Sequence, residues 1–167
     1  MDFILHYTSK IFFKKIKQSG LLLPKTCPGY NPENYSEELK EIIVFDKYLV
    51  GIDPNSKEAW DSSGLLDYLI RYTSGEVSLN VPILNKNNVF VREHFHLSPE
   101  NFFNLHGENL WKRAYLGEIE KDDKRFYDAV NSYLNSSVLL NNYKGNYKVP
   151  ELWLHQKTPL ELIDVMK

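Results

Sequence analysis

An α+β fold is predicted by three features of the sequence. Short β-rich runs and amphipathic helical stretches both occur, they do not follow the regular βα alternation of a doubly wound sheet, and no repeat or linker interrupts them. The 167 residues, 43% hydrophobic and 25% charged, are expected to form one domain over residues 1–167 with a core that needs no disulfide or metal staple. A single cysteine, Cys27, rules out an intramolecular disulfide. The 20 basic and 22 acidic side chains give a net charge of −2, which argues against broad wrapping of nucleic acid but leaves room for a local basic patch. No apolar run reaches the roughly 18–20 residues that span a bilayer, and Met1-Asp2-Phe3-Ile4-Leu5-His6 lacks the basic start and cleavage site of a signal peptide. A reducing, cytoplasmic setting with no membrane partner is the expectation.

Phe3-Ile4-Leu5-His6-Tyr7 reads as a strand, and Thr8 or Ser9 can accept a hydrogen bond from the free amides of a helix that follows. That helix carries Phe12, Phe13 and Ile16 at helical spacing, gathers lysines toward its end and stops at Gly20, with Leu21-Leu22-Leu23 extended beyond it. Residues 24–40, broken by Pro24, Pro28, Gly29 and Pro32, are expected to be a surface loop. Ile42–Phe45 and Tyr48–Ile52 are β-rich, and Asp53-Pro54-Asn55-Ser56 turns into helical sequence marked by Leu65, Leu66, Leu69 and Ile70. Val77, Leu79, Val81 and Ile83 alternate with polar residues, and a turn at Asn85–Asn88 leads to a second alternating run over residues 89–96, ended by Ser98-Pro99. A β-hairpin is the economical reading. Phe126, Ala129, Val130, Tyr133 and Leu134 form the apolar stripe of a helix. Residues 147–155 alternate once more as a strand, and Thr158-Pro159-Leu160-Glu161-Leu162-Ile163 starts a short helix.

Two constellations carry the chemistry. One is Leu5-His6-Tyr7-Thr8-Ser9, joined through Phe13, Ile16 and Gly20 to Leu21-Leu22-Leu23. The other is Val149-Pro150-Glu151-Leu152-Trp153-Leu154, followed by Thr158-Pro159-Leu160-Glu161-Leu162-Ile163. Together they resemble the ADP-ribosyltransferase superfamily, in particular its DNA-targeting bacterial toxins, in which a first strand ends in His-x-Thr, a helix ends in Gly-x-Leu, and a late strand bears the catalytic glutamate. The resemblance rests on about a fifth of the chain. It implies a split β-sheet core with flanking helices, NAD as the co-substrate, and transfer of ADP-ribose to a macromolecular acceptor.

The physical demand agrees with that assignment. Breaking the nicotinamide ribosyl bond develops positive charge at the anomeric carbon, as glycoside hydrolysis does, so a carboxylate must stand near the ribose in a dry, shaped site. By the resemblance Glu151 is that carboxylate, accepting from the ribose 2′-hydroxyl. Strand alternation sets it beside Val149, Trp153 and His155, although an edge-strand glutamate facing water is the plainer reading. The resemblance also implies that His6 bonds the adenosine ribose, that the Tyr7 backbone holds the nicotinamide amide and that Thr8 lines the pocket. Against this, His6 can be a satisfied core histidine and Thr8 a helix cap. A middle-strand residue of the family contacts the nicotinamide side, for which Tyr48 and Ser56 are candidates. An arginine to meet the pyrophosphate is expected, with Arg71 and Arg92 as candidates.

Arginine-modifying members carry Glu or Gln two residues before the catalytic glutamate, where this chain has Val149, so protein arginine is disfavoured as acceptor. A nucleic acid, another side chain, or water, which would make the protein an NAD glycohydrolase, remain open. So does a non-catalytic binding module using surface aromatics such as Trp60 or Trp111. Lys10, Lys14, Lys15 and Lys17 with Phe12 and Phe13 either form a small nucleic-acid patch or solvate a helix face. His94 and His96 share a strand face, and with His106 could chelate zinc, yet no Cys pair or His-Glu-x-x-His motif fixes such a site, and no metal is expected. Cys27 has no Cys-His signature, and no phosphate loop or dinucleotide fingerprint is present. An effector of the toxin–antitoxin or phage-defence kind, paired with an antitoxin or inhibitor, fits the resemblance.

Overall fold

The computed structural model describes residues 1–24, 48–72, 75–98 and 124–166. Phe3–Thr8 forms β1, and Lys10–Ser19 forms α1. Ser9, not Thr8, starts the helix: its hydroxyl accepts from Phe12 N at 3.1 Å. Gly20 ends it in the left-handed region at φ 73°, donating its N–H to Ile16 O. Leu21–Leu22 is β2 and Leu49–Ile52 is β3, after which a 3-10 turn at Pro54–Ser56 leads into α2, Lys57–Ser62, and α3, Leu65–Tyr72. Val77–Pro82 is β4 and Val89–Glu93 is β5. Lys124–Asn135 is α4, followed by β6, Val138–Leu139, and β7, Pro150–Leu154. Thr158–Pro159 is β8 and Asp164–Met166 is β9. The mixture of helices and sheet is α+β.

Among the described residues the main sheet has the order β6-β5-β7-β3-β1-β4-β9, and β2 pairs separately with β8. Every neighbouring pair in the main sheet is antiparallel. One junction differs from the rest. β1 meets β4 at six consecutive positions, but meets β3 only at Leu5↔Ile52. No further ladder pair joins the two strands among the described residues, and beside this pair the His6 Nδ1–H reaches the carbonyl of Val50 at 2.8 Å. Gly51 sits at the same seam, where an added Cβ would lie 2.5 Å from Leu5 O and 2.7 Å from Ile4 Cδ1, so only glycine lets the strands touch there.

The registers sort the side chains onto two faces. Ile4, Leu49, Leu79, Val81, Val89, Val91, Leu152 and Leu154 form one core with Ile16 of α1, Leu22 and Ile163. Leu5, Tyr7, Ile52 and Val149 form the other, packed against Trp60 of α2 and Leu65 and Leu66 of α3. β7, covered on both faces, is buried along its whole length.

Several expectations are corrected. β4 and β5 do not form a hairpin: β4 lies between β1 and β9, and β5 between β7 and β6. Alternation specifies a half-buried strand but not its partner. β5 stops at Glu93 rather than 96, because the Glu93 carboxylate accepts from Phe95 N at 3.1 Å, Lys148 N at 2.6 Å and Val149 N at 2.9 Å, bending the chain into a 3-10 turn over His94–Leu97. The last strand before residue 155 begins at Pro150, not Tyr147. Thr158–Pro159 is extended against Leu21–Leu22, leaving only a 3-10 turn at Leu160–Leu162, and β9 follows on the sheet edge. The loop over most of residues 24–40, the strand at Ile42–Phe45, Cys27, His106 and Trp111 lie outside the described residues.

Candidate active site

Glu151 is the one carboxylate buried in the sheet among the described residues, at 5% exposure in the second position of β7. It is paired on one side with Ile52 and on the other with Arg92. The water-facing edge glutamate is therefore excluded. Its Oε1 accepts from Trp153 Nε1 at 2.6 Å and from the Tyr133 hydroxyl, which α4 delivers from above the sheet. Its Oε2 lies 3.0 Å from His94 Nδ1, at ion-pair distance though off the hydrogen-bond axis. Burial pushes the Glu151 carboxyl up, but the nearby His94 charge and the hydrogen bonds from Tyr133 and Trp153 together outweigh it and hold the group below the ordinary carboxylate range. Tyr133 moves the opposite way: burial, then the Glu151 charge, raise its phenol well above the usual value, so it stays a proton donor.

A second layer fixes these groups. The Trp60 indole, fully buried, stacks on His94 with ring centroids 4.9 Å apart and donates Nε1 to Pro150 O at 3.1 Å. Tyr133 meets the same imidazole edge-on at 5.7 Å. Arg92 donates Nε to Ser137 Oγ at 2.7 Å and lays its guanidinium 4.3 Å from the centroid of Trp153 and 5.6 Å from that of Tyr133. Its Nη1 is buried with no hydrogen-bond acceptor among the described residues. A buried, unused guanidinium N–H beside an ionised carboxylate is a ready anchor for an anionic or carbonyl oxygen.

The structure gathers some of the sequence candidates and separates others. Arg92 stands beside Glu151. Tyr48 comes close through Trp153, its ring 5.5 Å from the indole, 6.5 Å from Phe90 and 5.9 Å from His155. Tyr7 shares the Glu151 face with Val149 and Ile52. His6 and Thr8 alternate onto the opposite face, and His6 reaches the seam rather than Glu151. Desolvation holds the His6 imidazole below its ordinary value, against the lift from Val50 O. Ser56 is used within its own turn, its hydroxyl donating to Asp53 O at 2.7 Å. Arg71 lies in the last turn of α3, and its side chain is outside the described residues.

Trp60, expected at the surface, is instead the floor under His94. Tyr133 was legible only as a member of an apolar stripe. The signal that could have singled it out is a hydroxyl on a buried helix face, which needs a partner. His94 and His96 no longer share a strand face, and among the described residues no three metal-ligating side chains cluster. Lys15 and Lys17 lie over Phe12 and Phe13 at 5.3 and 5.0 Å, an arrangement that covers the outer face of α1. Among the described residues no helix is long and apolar enough to cross a membrane. No protein-family model, curated protein or solved structure matches the chain.

Proposed function

We propose that the protein is an NAD-dependent ADP-ribosyltransferase with Glu151 as its catalytic carboxylate. The observation that carries this reading is the state of Glu151: buried in mid-sheet, held ionised by three neighbours, and faced by an arginine with a free buried donor. The sheet adds support, because the His6 strand and the Glu151 strand flank one middle strand and the junction between β1 and β3 rests on a single backbone pair, as a split core requires. NAD would supply the nicotinamide ribosyl bond that breaks.

The chain's own residues meet the rest of the demand. A carboxylate offers about four acceptor positions. Trp153 and Tyr133 occupy Oε1 and His94 addresses Oε2, which leaves a position on Oε2 for a ribose hydroxyl. An ionised carboxylate there stabilises the positive charge that develops at the anomeric carbon. Arg92 fits a phosphate or amide oxygen through Nη1, and Tyr48 with Trp153 offers an aromatic edge for a flat ring. Val149, buried and apolar on the Glu151 face, gives an arginine acceptor nothing to pair with, which favours a nucleic acid or another side chain.

The test is release of nicotinamide from NAD by the wild-type protein and by Glu151→Gln, read by chromatography with a cell lysate as acceptor source. Release that falls at least about a hundredfold in the variant supports the reading. A wild-type protein that neither releases nicotinamide nor binds NAD in calorimetry overturns it.

A further inference from the structure

We propose that His94 is a second catalytic residue, the general base that takes the proton from the acceptor. This rests on the transferase reading above. The geometry is that of a carboxylate–imidazole pair: Glu151 Oε2 lies 3.0 Å from His94 Nδ1, which places the Nδ1 proton toward the carboxylate and leaves Nε2 as the basic nitrogen. His94 Nδ1 and Arg92 Nη1 are buried without a hydrogen-bond partner among the described residues, whereas Trp153 Nε1, the Tyr133 hydroxyl, Glu151 Oε1 and Arg92 Nε are engaged with one another or with Ser137, and none of these groups bonds His94 Nε2.

The imidazole is held for this task. Trp60 stacks on one side at 4.9 Å and Tyr133 closes edge-on at 5.7 Å, so the ring keeps its orientation. The 3-10 turn that carries His94 is fixed by Glu93 and by the bond from His94 N to Val149 O at 3.0 Å. The groups bearing on its charge are Glu151 from β7, Tyr133 from α4 and Arg92 from β5, with uncharged Trp60 from α2. At 12% side-chain exposure, His94 is the more accessible member of the pair.

The step balances. The bond between the nicotinamide nitrogen and the anomeric carbon breaks, its electron pair leaving with nicotinamide. A lone pair of the acceptor's O–H or N–H group forms the new bond to that carbon, and the acceptor's proton passes to His94 Nε2. Glu151 therefore serves both halves: its charge favours bond breaking, and its Oε2 sets the His94 tautomer.

The experiment uses the full chain, NAD labelled in its adenosine half, and a cell lysate, with nicotinamide release and acid-precipitable label read separately. His94→Asn is the informative variant, because its amide nitrogen stands where Nδ1 stands and can still donate to Glu151, while the basic Nε2 is gone. Its thermal melting is measured beside the wild type, and His94→Gln serves as the second variant. The expected result is that His94→Asn loses transfer at least about tenfold more than it loses nicotinamide release, with the acid limb of the transfer rate against pH abolished. Transfer at the wild-type rate with the wild-type pH profile would reduce His94 to a donor for Glu151 and overturn the proposal while leaving the transferase reading intact. No nicotinamide release by the wild-type protein would remove both.

Discussion

Two buried titratable groups set how the protein responds to acid. The His6 imidazole is held below its ordinary value by desolvation, so the unfolded chain takes up a proton that the folded chain resists. Stability from this source is complete above pH 6.5 and is lost as the pH falls toward the folded value. Glu151, also held low, contributes stability that is complete above its ordinary value of 4.5 and is lost as the pH falls further. Urea denaturation at pH 7 and pH 5 should show the first loss in the wild type. His6→Asn, which keeps a donor for Val50 O, should flatten it. Glu151→Gln leaves the Trp153 indole facing an amide and should cost about 1–3 kcal/mol at pH 7, read from the urea midpoint. Arg92→Ala should weaken NAD binding about ten- to hundredfold in calorimetry if Nη1 meets a ligand oxygen, and unchanged affinity would remove Arg92 from the site. At this scale the sequence marked Glu151, Arg92 and Tyr48 because their residue types carry the chemistry. It read Tyr133 only as part of an apolar stripe and set Trp60 at the surface, because the importance of both comes from which partner the fold brings to them.

The elements differ in how much of their definition is local. α1 was readable to its ends because Ser9 and Gly20 act on the nearest turn of backbone. Ser9→Ala should lower stability by about 1 kcal/mol, whereas Thr8→Ala should leave the cap intact. Thermal melting of the pair separates the roles that the sequence left open between these neighbours. β3 is defined by a contact with a distant strand. Gly51→Ala must displace Leu5 O or Ile4, and the expected loss is at least about 1–3 kcal/mol. A melting temperature equal to wild type would show that the seam can open at no cost. β8 and β9 escaped notice for a related reason: Thr158–Pro159 and Asp164–Met166 are too short for periodicity to register, and only pairing with Leu21–Leu22 and Ser78–Asn80 makes them strands.

For the whole molecule, the α+β class was legible from the mixture of periods, while the sheet order was not, since no local pattern says that β4 and β5 avoid each other. The order matters because it sets two ladders side by side with one shared backbone pair. Amides of β1 bonded to β4 should exchange with deuterium more slowly than those of β3 facing β1, and equal protection would mean that the seam is no weaker than the ladders. The Trp60–His94 stack gives the protein an optical reporter of its own. A protonated imidazole in ring contact accepts an electron from excited indole and quenches its emission, and Trp60 is sealed from solvent. Emission followed through a pH titration, with Trp60→Phe as the blank, would report the charge on the proposed base before any substrate is known.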